Sequence, residues 1–139
     1  MRFMIIVKND PQSEQQTPPP ELYAAMGRYN QSLLDAGILL AAEGLSNSRE
    51  GAQVTFQKGR TSVKDGPFAE AKELIGGFWI IQVKSKDEAV EWARRIPLNE
   101  GGAVEVRRVS EPRDFEGVMP PATMAQEEAM RDILGNKSN

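Results

Sequence analysis

The apolar positions of this chain alternate in some stretches and recur at helical spacing in others, and each change of period marks an element. Residues 2–8 read as a strand. Phe3, Ile5 and Val7 point one way, Met4 and Ile6 the other, so it belongs in the middle of a sheet. Asn9-Asp10-Pro11 breaks it, and a polar loop leads to Pro18-Pro19-Pro20. Proline is tolerated in a first helical turn. Leu22, Ala25, Met26, Tyr29, Leu33 and Ala36 then follow at helical spacing, and Gly37 supplies a stop, which predicts a helix over residues 21–36. Residues 38–45 form a second strand, with Ile38, Leu40 and Ala42 on one face and Leu39, Ala41 and Glu43 on the other.

Polar turn residues over 46–51 precede an alternating strand at 53–57. Lys58-Gly59-Arg60 turns the chain, and 61–64 returns as its hairpin partner. A crowded stretch follows, from Lys64-Asp65-Gly66-Pro67-Phe68 to Gly76-Gly77-Phe78. Gly66-Pro67 reads as a turn, with Pro67 opening a short helix over 68–74 and Asp65 or Gly66 near its cap. Gly76-Gly77 lets the backbone bend into a strand at 78–84, where Trp79, Ile81 and Val83 oppose Phe78 and Ile80. Ser85 and Glu88 form a capping box for a second helix, with Ala89, Trp92, Ala93 and Ile96 as its apolar stripe and Pro97 as its end. Arg94 and Arg95 fall in its last turn, where cations are favoured. The last strand, 103–109, carries Glu105 and Arg107 on one face, lining either a solvated surface or a polar cleft.

This order predicts an α+β, ferredoxin-like protomer over residues 1–110. The strands are apolar on both faces, so the face without helices needs a cover. A second copy would supply it, giving a two-fold homodimer with facing sheets. Past Glu111-Pro112 the composition shifts, and 111–139 reads as a C-terminal extension with a short amphipathic helix over 122–134.

Composition narrows the chemistry. At 139 residues, 40% hydrophobic and 27% charged, the chain has the make-up of a soluble globular protein. Its net charge of −3, with no basic block, argues against nucleic acid as a partner. It has no Cys and no His, which removes thiolate and histidine nucleophile systems, the usual general base and the commonest metal ligand. No metal and no cofactor are expected, and acid–base chemistry falls to Asp, Glu, Lys or Tyr. No run approaches the ~20 apolar residues of a membrane span. The short apolar start is no signal peptide, so no membrane association and a cytoplasmic location are expected. A cleft between the sheet and the inserted 58–77 segment would be lined by Glu43, Asp65, Glu105 and Arg107. Glu43 itself is either an edge carboxylate in solvent or a site carboxylate.

Glu43-Gly44-Leu45, Asp65-Gly66-Pro67-Phe68-Ala69-Glu70, Lys72-Glu73 with Gly76-Gly77-Phe78, and Val104-Glu105-Val106-Arg107 together resemble the DGPF branch of the YCII-related domain family. The resemblance covers roughly residues 1–110. It implies a dimeric α+β barrel of ferredoxin-like protomers and brings no settled function. Some members lie beside genes for extracytoplasmic-function sigma factors, which implies a regulatory partner as one possibility. The better-studied branch carries a His on the first helix and an Asp before a late proline. Here Met26 and Ile96 stand there, so that chemistry does not carry over.

Two functions follow as expectations. In one, an unknown small molecule is processed without a cofactor in a dimer cleft. Asp65 would be the base, Lys72 or Arg107 the partner of an oxyanion or carboxylate, and Glu43 and Glu105 further acids. Tyr29, Phe68, Glu73 and Glu105 are candidate binding residues, although Tyr29 also fits a core stripe. In the other, the chain is a non-catalytic binding or regulatory module. Either is compatible with a purely structural turn in which Asp65 caps and Phe68 anchors.

Overall fold

A computed structural model describes residues 1–137 and divides the chain into two compact units, Met1–Arg108 and Val109–Asn139. The first holds strand β1 (Arg2–Asn9), helix α1 (Pro20–Asp35), β2 (Leu39–Gly44), β3 (Ala52–Gln57), β4 (Arg60–Asp65), β5 (Leu74–Gln82), α2 (Lys86–Ala93) and β6 (Ala103–Arg108). Four strands make an antiparallel sheet in the order β2-β5-β1-β6. Among the described residues β3 and β4 pair only with each other, as a hairpin set into the connection from β2 to β5. This α+β arrangement is compatible with the expected ferredoxin-like fold.

The core forms on one face of the sheet. Phe3 and Ile5 of β1 and Trp79 and Ile81 of β5 meet Tyr29 and Leu33 of α1 and Ala89 and Ala93 of α2. Ile5, Leu33 and Ile81 are fully buried, and each such side chain contributes about 1.5–3 kcal/mol by leaving water. The polar atoms of the aromatics are answered. Tyr29 Oη donates to the Trp92 carbonyl at 2.9 Å, and Trp79 Nε1 donates to Asn30 Oδ1 at 2.7 Å. The two rings meet edge to face at 5.4 Å. Ser85 caps α2 by accepting from the Glu88 amide at 3.1 Å, and Glu88 returns a bond to the Lys84 amide at 2.9 Å.

Three local features differ from the sequence expectation. Leu40 is skipped in the pairing of β2 with β5, so the alternation changes phase there. Leu39 and Ala42 then both pack on the core, while Ala41 and Glu43 share the open face with Ile80 and Phe78. A β-bulge of this kind adds one residue and cannot be seen in a strict period of two.

The second difference concerns residues 68–73, which form turns and no helix. Their neighbourhood is tied sideways instead. The Gly66 amide donates to the Gly51 carbonyl at 2.9 Å, and the Phe68 amide donates to Ser48 Oγ at 3.2 Å. The Gly66-Pro67 peptide is cis. Third, β5 begins at Leu74, so Gly76 and Gly77 lie inside the strand. Gly76 is the extra residue of a bulge opposite Val7 and Lys8. A Cβ at Gly77 would stand 2.7 Å from the Glu43 carbonyl oxygen. These glycines permit close strand approach and do not form a bend.

The second unit contains a 3-10 turn (Pro112–Phe115) and helix α3 (Pro121–Lys137). Glu111 and Asp114 cap the turn reciprocally, and Arg113 Nε lies 2.9 Å from Glu111 Oε2. Within the unit, Arg131 Nη2 donates to the Ser110 carbonyl at 3.3 Å. Met130, Ile133 and Leu134 of α3 remain exposed.

Candidate functional site

The end of β1 gathers the densest charge of the sheet. Alternation along β1 places Lys8 on the open face with Met4 and Ile6. Ile6 pairs with Glu105 of β6, so that carboxylate lies on the same face. Lys8 Nζ stands 3.4 Å from Glu105 Oε2 and 3.4 Å from Glu73 Oε2. Arg107 Nη1 extends the chain of charges, 3.9 Å from Glu105 Oε1. The bond from Glu105, and then that from Glu73, hold the Lys8 ammonium above the ordinary lysine value. At neutral pH Lys8 is therefore a fixed cation and hydrogen-bond donor, and no amine nucleophile. The pairs are open to water. Such pairs add only ~0–1 kcal/mol to stability, so partners can exchange at little expense.

Beside this cluster lies a cleft of about 630 Å³, within the roughly 300–1,000 Å³ usual for small-molecule sites. One wall is the end of β1 with the loop running into α1, from Asp10 to Pro19. The opposite wall is the loop from Leu98 to Ala103, and Lys72 and Glu73 complete it. Asp10 is occupied structurally. It accepts from the Ser13 amide at 2.7 Å, and that bond, followed by one from the Ser13 side chain, holds its carboxyl below the usual range. The start of α1 opens onto the cleft with Pro19 at the N-cap and no side-chain cap, while Glu21 in the first turn complements the positive end of the helix dipole.

Of the eight candidate residues, Lys72 and Glu73 line the cleft, and Glu73, Glu105 and Arg107 gather around Lys8. The others lie elsewhere. Asp65 is exposed at the end of β4, across from Ala52 at the root of the hairpin. Glu43 is exposed late in β2, opposite Phe78. Phe68 sits half-buried in its turn with its ring against Gly51. Tyr29 belongs to the core, where burial pushes its phenol up to about 12 against a smaller opposing effect of Arg95. Among the described residues no group of three or more carboxylates is placed to hold a metal ion. No helix there is long and apolar enough to cross a membrane.

Sequence reasoning singled out neither Lys8 of the site nor Glu14, which holds the loop beside it. Lys8 was legible in principle, since it shares the parity of Met4 and Ile6. Glu14 was not. Its carboxylate accepts from the Ser48 amide at 2.8 Å and from Ser48 Oγ at 2.6 Å, and its carbonyl accepts from Asn47 Nδ2 at 3.0 Å. Because Ser48 Oγ also accepts from Phe68, one serine joins the cleft loop to the Asp65-Gly66-Pro67-Phe68 turn. Bonds between residues so distant in sequence leave no local pattern.

The model of the YCII-related domain matches residues 1–113. An uncharacterised protein of Rhizobium meliloti (strain 1021) is 37% identical over 76 residues, which is 55% of this chain and 58% of that relative. The match thus spans less than two thirds of the relative's length.

Proposed function

The chain belongs to the YCII-related domain family, and from that premise we propose that its cleft binds a small organic anion, with Lys8 and Lys72 as the cationic partners. The observation that carries this reading is the Lys8 ammonium at the cleft wall, held at 3.4 Å by an exposed Glu73. An incoming carboxylate can take the place of Glu73 on Lys8, because an exposed pair is worth little. Glu73 is then released beside the bound anion, where its carboxylate can accept a proton from the ligand without a cofactor. Glu105 stays on Lys8 and orients it. A second copy over the open face would exclude water and raise the basicity of these carboxylates by burial.

One observation favours a second reading, binding without turnover. Among the described residues no charged side chain is buried, and catalytic carboxylates commonly depend on burial to reach a useful pKa. In that reading the chain is a ligand-responsive regulatory module, and a sigma factor of the extracytoplasmic-function class is a candidate partner.

Calorimetric titration with three- to six-carbon mono- and dicarboxylates at low salt tests the site. The proposal expects saturable binding that weakens about tenfold in Lys8→Gln, the order of one charge-assisted bond. Glu73→Gln should keep or tighten binding. Equal binding by the wild type and Lys8→Gln refutes the site. Deuterium exchange into the bound acid, lost in Glu73→Gln, would establish proton transfer; binding without exchange selects the second reading.

A further inference from the structure

The turn that brings the β3–β4 arm back toward β5 holds Asp65, Gly66, Pro67 and Phe68, and these four stand outside the cleft lining. What the turn grips is Ser48. Gly66 passes so close that a Cβ there would collide with the Ser48 carbonyl oxygen, so glycine lets the two backbones meet. The Gly66 amide donates to the Gly51 carbonyl at 2.9 Å, and the Gly51 amide donates to the Ser48 carbonyl at 2.9 Å. The Phe68 amide donates to Ser48 Oγ at 3.2 Å.

The same serine reaches the loop between β1 and α1. Its hydroxyl donates to Glu14 Oε2 at 2.6 Å and its amide donates to Glu14 Oε1 at 2.8 Å, so both oxygens of one carboxylate end on one residue. A hydroxyl carries one donor and two acceptor lone pairs, which lets it serve Glu14 and Phe68 together. An alanine there would lose both hydroxyl bonds. The loop side is shaped by a 3-10 turn over Ser13–Gln15. Side chains three apart eclipse in such a turn, and Ser13 and Gln16 both line the cleft. Glu14, a third of a turn away, reaches Ser48 instead. On the other side of Ser48 the Ala71 amide donates to the Phe68 carbonyl at 3.1 Å, and Lys72 and Glu73 follow directly at the cleft.

We propose that Ser48 is the positioning residue of the cleft, fixing Lys72 and Glu73 against the loop wall that carries Ser13 and Gln16. This role rests on the anion-binding reading of the cleft. It also gives the Asp65-Gly66-Pro67-Phe68 turn a task, which is to seat Gly66 and Phe68 on Ser48. Asp65 needs no contact with the ligand in this arrangement. The bonds to Glu14 are charge-assisted and stronger than neutral ones, and a hydroxyl that donates to a carboxylate is a better acceptor for the Phe68 amide. Walls held in place before the ligand arrives lower the ordering cost of binding it.

The chain has no cysteine, so Gln15→Cys and Ala69→Cys, both at exposed positions, take a pair of spin labels on either side of Ser48 and outside the cleft lining. With no ligand present, electron spin resonance should read one narrow label separation in the parent and a broadened one in Ser48→Ala. Glu14→Ala should broaden it as well, and Ser48→Thr, which keeps the hydroxyl, should restore it. Titration with succinate should show about fivefold weaker binding in Ser48→Ala, the order of one hydrogen bond, again restored in Ser48→Thr. In a Lys72→Gln background the same change should weaken binding by less than about twofold, because the residue that Ser48 positions is gone. An unbroadened separation in both alanine variants overturns the proposal. So does a loss of binding that persists undiminished in Lys72→Gln, the mark of a general loosening. If the wild type binds no succinate, the anion reading fails, and the label separation alone decides whether Ser48 sets the spacing of the walls.

Discussion

β5 and the β3–β4 arm follow the same rule of alternation and meet opposite fates. In β5, Trp79 and Ile81 are buried under α1 and α2. In the arm, Phe56 and Val63 repeat the pattern and stand in solvent. Alternation therefore tells which face of a strand is apolar. It does not tell what covers that face. The helices that close β5 come from the same chain, whereas the arm leaves the sheet after β2 and rejoins it at β5 with no helix of its own.

The sharpest way to break this comparison is to truncate equivalent positions. Ile81→Ala or Leu33→Ala should cost about 2–5 kcal/mol, as a lost side chain in a closed core does. Phe56→Ala, measured by denaturant unfolding, should change stability by less than about 0.5 kcal/mol. Similar losses at both places would mean that the arm packs within its own chain. Gly77→Ala comes next, at about 1–3 kcal/mol, because its Cβ meets backbone at 2.7 Å. Gly76→Ala should cost less, since its obstacle is the side-chain amide of Asn9, which can rotate. Thermal unfolding of the two variants ranks them, and the reverse order would contradict the account of the paired strands.

The aromatic pair sharpens the core side of the comparison. Asn30→Ala leaves the Trp79 indole N–H without its acceptor and should cost about 1–3 kcal/mol, visible as a lower urea midpoint. Alkaline pH probes the same place. Tyr29 is held above its ordinary value, to about 12, so its contribution to stability is complete below pH 10 and is lost as pH rises toward 12. Lys8 is also raised, so its smaller contribution disappears above the ordinary lysine range and shrinks with added salt. An unfolding free energy unchanged between pH 9 and 12 would contradict both.

Much of the fold was legible because the pattern periods are long and strict. The α1 stripe, the α2 capping box and the alternation of β1 and β5 each leave a mark that local physics reads directly. The bulges at Leu40 and Gly76 were not legible, because one inserted residue shifts the phase without changing composition. The helix expected over 68–74 failed for another reason. Pro67 and Glu70 favour a helix start locally, but Ser48 and Gly51 take the neighbouring amides. The site was legible in part. Lys72, Glu73, Glu105 and Arg107 were named from the sequence, and Lys8 joins them only through strand pairing and its ion pairs.

The most direct test of the proposed site is an amide NMR titration of the whole chain with a small dicarboxylate such as succinate at low salt. The account predicts saturable shifts at Lys8, Lys72, Glu73 and the glycines Gly101 and Gly102, abolished in Lys8→Gln. Shifts that do not saturate, or that spread over the surface and persist in Lys8→Gln, would contradict it.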